Sequence, residues 1–93
     1  MGHDLYTPEA LAQLDQLEVG DDAELYNAIL DVIEHVLDNS ERARLTSPPL
    51  RDANGKPLFA TVVMYEQDPR WYVFWNLIDG DPVITGVGAL PFL

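Results

Sequence analysis

Ala10, Leu11, Leu14 and Leu17 recur at steps of three and four, the spacing that gathers apolar side chains on one side of a helix. The helix has a readable start. Thr7 can accept from its first free amides, Pro8 suits the first helical position, and Glu9 favours the positive end of the dipole. Gly20 closes this segment. A second stripe follows at Leu25, Ile29, Val32, Ile33 and Val36, with Ala28 beside it. Asp21 is the expected cap of that helix, with Glu24 three residues on as in a capping box, and Asn39 is its expected left-handed terminator. The short link between the stripes predicts an antiparallel helical pair.

The period then changes. Residues 47–57 hold Pro48, Pro49, Asn54, Gly55 and Pro57, which is turn and loop chemistry. Leu58 to Tyr65, Trp71 to Ile78 and Pro82 to Ala89 are rich in β-branched and aromatic residues and predict three strands. Gln67-Asp68-Pro69 and Asp79-Gly80-Asp81 supply the turns, so the strands form an antiparallel meander. His3 to Tyr6 adds a short N-terminal strand. The fold class is therefore α+β: two antiparallel N-terminal helices on an antiparallel sheet of three to four strands.

Alternation along the central strand puts Trp71, Val73 and Trp75 on one face and Tyr72, Phe74 and Asn76 on the other. Both faces are bulky, and the helices can cover only one. The second face is to be covered by the C-terminal segment Leu90-Pro91-Phe92-Leu93, by a second copy of the chain or by another protein. Trp71, Trp75, Leu90 and Phe92 are accordingly the candidate partner-binding residues, since aromatic side chains anchor interfaces well.

Composition narrows the choices. A chain of 93 residues, 47% apolar, supports one compact domain spanning residues 1–93. Sixteen acids against five Lys and Arg give a net charge of -11, which argues against nucleic-acid binding by phosphate neutralisation and against docking on anionic membranes. The charge is uneven: residues 1–41 hold 11 acids and no Lys or Arg, and four of the five bases fall between Arg42 and Lys56. Cysteine is absent, so disulfide and thiolate chemistry are excluded. No apolar run approaches the roughly 20 residues that span a bilayer, and no leader pattern opens the chain, so the expected location is cytoplasmic. Gly2-His3 reads equally as native or as a cloning remnant.

Motifs for chemistry are sparse. Asp31, Glu34, Asp38 and Glu41 recur as a solvated helix face, not as a catalytic carboxylate pair. His35 has no second His nearby, and neither a metal site nor a cofactor is expected. Gly86 and Gly88 lie within a strand with no following helix, which reads as a bulge or close packing instead of a phosphate loop.

Several pieces stand in a recognisable order. They are Leu5-Tyr6-Thr7-Pro8-Glu9-Ala10 with Leu11 and Leu14, then Pro49-Leu50-Arg51 with Gly55. Trp71-Tyr72-Val73-Phe74-Trp75 follows with Asp79-Gly80, and Val83-Ile84-Thr85-Gly86-Val87-Gly88 comes last. Their order and spacing resemble the RelE/ParE toxin superfamily of bacterial toxin–antitoxin systems over nearly the whole chain. The resemblance implies a first strand running into helix one, a central hairpin and a last strand. In RNA-cleaving members of that superfamily, basic residues and a Tyr or His line a concave sheet face. This sequence departs there: Trp71-Tyr72 stands where many relatives have Tyr-Arg, and Gly88 is followed by Ala89 and Leu90 in place of a His or Arg.

The implied activity is therefore binding to a cognate antitoxin or a cellular protein target, not catalysis. A ribosome-dependent mRNA endonuclease is the alternative, and Arg44, Arg51, Lys56 and Arg70 would then be its catalytic candidates. A third reading is an acidic decoy whose helical carboxylates occupy a basic partner.

Overall fold

The computed structural model describes residues 5–46, 49–51, 55, 57–65 and 70–90. Helices α1 (Pro8–Glu18), α2 (Ala23–Asp38) and α3 (Ser40–Thr46) precede strands β1 (Pro49–Arg51), β2 (Pro57–Val62), β3 (Arg70–Ile78) and β4 (Asp81–Leu90). The sheet is an antiparallel meander in the order β1-β2-β3-β4, and the helices pack on it as an α+β arrangement.

Thr7 caps α1 as expected, its hydroxyl accepting from Ala10 N at 3.2 Å with Pro8 following at the first helical position. Helix α2 corrects the sequence reading. Its cap is Asp22, not Asp21: Asp22 Oδ1 accepts from Leu25 N at 3.0 Å. Glu24 consequently sits one position too early to close a capping box. Asn39 is not left-handed either, with φ -136° and ψ 53°, because the chain turns at once into α3 and needs no left-handed stop. Ala43 fixes α3 by inserting, fully buried, into the core.

Strand β1 pairs Leu50 with Leu58 and lies in the segment expected to be loop. Between β3 and β4 the Asp79-Gly80 link has φ 52° and 86°. Positive φ at both residues makes the two-residue hairpin turn whose twist matches its strands. Farther along this hairpin, Phe74 faces Gly86 but Trp75 faces Ile84, which leaves Thr85 as an extra residue. This bulge resets the alternation, so that Ile84 and Val87 both reach the core. The expected N-terminal strand reduces to a single parallel bridge between Tyr6 and Ile84; His3 and Asp4 lie outside the described residues, as does the Gln67-Asp68-Pro69 turn.

The core lies between the helical layer and one sheet face. Leu14, Leu25, Ile29, Ile33 and Val36 meet Val73, Trp75, Ile84 and Val87 there. Trp75 is its largest fully buried side chain. It packs at a tilt of 32° against Phe59 with 4.8 Å between ring centroids, and its indole N–H donates to Thr61 Oγ1 at 2.8 Å. The outer edge of β4 is closed by α1 and the residues before it. Ile84 N donates to Leu5 O, Thr7 N to Ile84 O, Thr7 Oγ1 to Thr85 O, and Val87 N to Gln13 Oε1 at 2.7 Å. An edge so occupied offers no template for another strand between residues 84 and 87.

Candidate protein-binding groove

The alternation of β3 decides which aromatic face is internal. Val73 and Trp75 are buried, and Trp71 packs half-buried against the same core. Tyr72 and Phe74 lie on the opposite face with ring centroids 6.3 Å apart. Opposite Phe74 the neighbouring strand carries glycines. A Cβ on Gly88 would stand 3.5 Å from the Phe74 ring, and one on Gly86 would stand 3.9 Å from it. Phe74 thus lies over a strip without side chains, whereas the other face offers Ile84 and Val87 for the helices to grip.

A groove of about 450 Å³ runs between α2 and β2. Ala28, Asp31, Val32 and His35 supply its helical wall; Thr61, Val62 and Met64 supply the other. The helical residues follow from spacing alone, since positions 28, 32 and 35 share one side of α2 next to its buried stripe. The far wall follows from anchoring. Val63 is fully buried and donates its N–H to Trp71 O, while Tyr65 N folds back onto Val63 O at 2.8 Å. The Tyr65 hydroxyl then donates to Asp22 Oδ2 at 2.9 Å, on the start of α2. Between these two fixed points Met64 is presented to solvent, 84% exposed. A thioether held at a groove's lip adapts to many apolar shapes.

Acids line the solvent side of the groove, while His35 stands on its helical wall and Arg42 shares a hollow with Asp38 at the C-terminal end of α2. Glu24, Asp31 and Asp38 are exposed and repeat every seven residues, which makes a near-axial stripe on the solvent side of the groove. Donation to Asp22 raises the Tyr65 phenol above its ordinary pKa, and burial and the charges of Asp22 and Glu24 add to this. Burial first, then Glu18, Asp15 and Tyr6, raises Tyr26 likewise. No group of three or more His, Asp or Glu side chains is placed to hold a metal ion among the described residues. Nor is any described helix long and apolar enough to cross a membrane.

The candidates from the sequence are dispersed. Arg44 is exposed on α3, in the helical layer. Arg70 is half-buried at the start of β3, facing Leu90 across the ladder on the side of Tyr72 and Phe74. Arg51 ends β1 opposite Pro57. Lys56 and Phe92 lie outside the described residues. Trp75 is corrected from a contact residue to a core residue, because its ring is fully enclosed and its N–H already bonded. Trp71 keeps a partial surface, lining a hollow with Gln16 and Leu17 of α1 and with Gly88. Leu90 is the last residue of β4. Sequence reasoning missed Met64 and the groove. Its only signal was an unbranched Met beside the β-branched run Thr61-Val62-Val63.

Comparison with protein-family models, with curated protein sequences and with solved structures gives no match.

Proposed function

We propose that the protein works by binding another protein, as a RelE/ParE-like toxin-family member of a bacterial toxin–antitoxin type system whose partner is a cognate antitoxin or a cellular target. The groove between α2 and β2 carries this reading. It is apolar, open at the surface and walled by residues that are held in place. Such a surface suits a macromolecular contact. The strand register supports it as well: Arg51 pairs with Pro57 at one end of β2 and Arg70 lies beyond Tyr72, the partner of Val62 at the other end, whereas acid–base work on RNA needs groups that converge. The toxin-superfamily part of the reading rests on the order of residues that resembles that superfamily, from Leu5-Tyr6-Thr7-Pro8 to Val83-Ile84-Thr85-Gly86-Val87-Gly88.

Inducible expression in a bacterial host tests the reading. Growth arrest is expected, relieved by co-expression of the neighbouring gene's product, with which the chain co-purifies. Absence of arrest together with absence of a complex would refute it. The endonuclease alternative is decided by primer extension on mRNA from a translating extract. Cleavage that disappears on changing Arg44, Arg51, Lys56 and Arg70 to Ala would replace the binding reading with the enzymatic one.

A further inference from the structure

We infer that the α2–β2 groove receives a Lys- or Arg-bearing amphipathic helix of the partner protein. This rests on the protein-binding reading and names the chemistry and the place of the contact. The floor and far lip, from Ala28 and Val32 to Val62 and Met64, are apolar and match the hydrophobic stripe of such a helix. The near lip is the stripe of Glu24, Asp31 and Asp38. Fourteen positions separate its ends, about 21 Å of helix at ~1.5 Å per residue, which is about four turns of an occupant lying alongside.

Charge selects the occupant. No Lys or Arg stands within a helical turn of Glu24 or Asp31 in sequence, whereas Asp38 shares a hollow with Arg42, and the chain carries -11 in all. A second copy of the chain would set acid against acid, and an acidic helix would meet the same repulsion. A helix with apolar residues at steps of three and four and cations on one flank satisfies both lips at once. Arg42, on α3, borders a hollow with Asp38 at the C-terminal end of this lip, so the cations of the occupant are matched to Glu24 and Asp31.

The probe is a synthetic 14-residue peptide with Leu at helical spacing and Lys along one flank, read by fluorescence anisotropy against the full chain. Two control peptides accompany it, one with Glu for Lys and one with the same composition scrambled. The Lys peptide is expected to bind about tenfold more tightly than either control, and to weaken about tenfold when salt is raised until the screening length falls to ~3 Å. Asp31→Lys should invert the preference toward the Glu peptide. Met64→Ser should weaken both peptides without changing that preference. Both positions are exposed, and a thermal melt of each variant verifies that the fold is kept.

Equal binding of the scrambled peptide would overturn the inference, because charge alone would then suffice. Absence of binding by all three peptides would overturn it too. If Asp31→Lys and Met64→Ser leave the antitoxin complex and growth arrest intact, the groove is not the interface, yet the protein-binding reading stands. If arrest and complex are absent from the unmodified chain, that broader reading fails by itself.

Discussion

Replacing Thr61, on the groove wall, with Val probes the bond that holds the buried Trp75 without emptying the core. Trp75 is fully enclosed, and its indole nitrogen can only donate; the acceptor is Thr61 Oγ1 at 2.8 Å. Val keeps nearly the same volume but removes that acceptor, and leaves a buried N–H with no protein partner. The cost of such an orphan is about 1–3 kcal/mol. For a chain of this size each kcal/mol moves the melting temperature by roughly 4–8 °C, so about 2 kcal/mol predicts a fall of about 8–16 °C. Urea titration followed by tryptophan fluorescence should show the midpoint falling with an unchanged slope. Thr61→Ser retains the oxygen and should recover most of the loss. Trp75→Phe removes the donor, so the double variant with Thr61→Val should be less destabilised than the sum of the singles by about 1 kcal/mol or more. Additive losses, or a Thr61→Val variant within ~0.5 kcal/mol of the parent, would refute the assignment of this bond as a core determinant.

Glycine substitutions should separate two roles. Gly80→Ala forces a side chain into φ 86° and is expected to cost about 1–2 kcal/mol, whereas Gly88→Ala makes only an ordinary 3.5 Å contact with Phe74 and should stay within ~0.5 kcal/mol by urea titration. Asp22→Ala removes the α2 cap and should cost about 0.5–2 kcal/mol, with loss of helical circular dichroism on heating; Asp21→Ala should be near neutral. Tyr65 and Tyr26 both have phenols raised in the folded chain, so their contribution is present below the ordinary tyrosine pKa and is lost as pH climbs through the raised values. Stability should therefore decline above about pH 10, less steeply in Tyr65→Phe, and ultraviolet titration should show two phenols ionising late.

The readable parts of this fold were those decided locally. Thr7-Pro8 states a helix start within two residues, and Asp79-Gly80 states a hairpin within two more. The α+β class followed from the change of period near residue 47. What escaped was decided by distant partners. Asp21 and Asp22 are chemically equal in sequence, and the hydroxyl of Tyr65, 43 positions away, meets only the second. Helix α3 has a single core residue, Ala43, so seven positions showed no stripe. Strand β1 was hidden by the prolines around it. The two aromatic faces of β3 could not be ranked from β3 itself, since the core face is the one that meets Ile84 and Val87 on its neighbour, and their register depends on the bulge at Thr85. The groove likewise has walls about 30 positions apart, and only its helical wall could be seen beforehand.

The closure of the β4 edge bears on how the chain is made. Thr7 and Thr85 are 78 positions apart, and Gln13 and Val87 are 74 apart. On the ribosome, α1 therefore emerges long before the strand that receives it. Its contact with α2 is available early, but its seat on β4 must wait through the synthesis of α3 and three strands. During that interval the 41 residues before Arg42 present 11 acids and no Lys or Arg, a density of like charge that opposes association between copies.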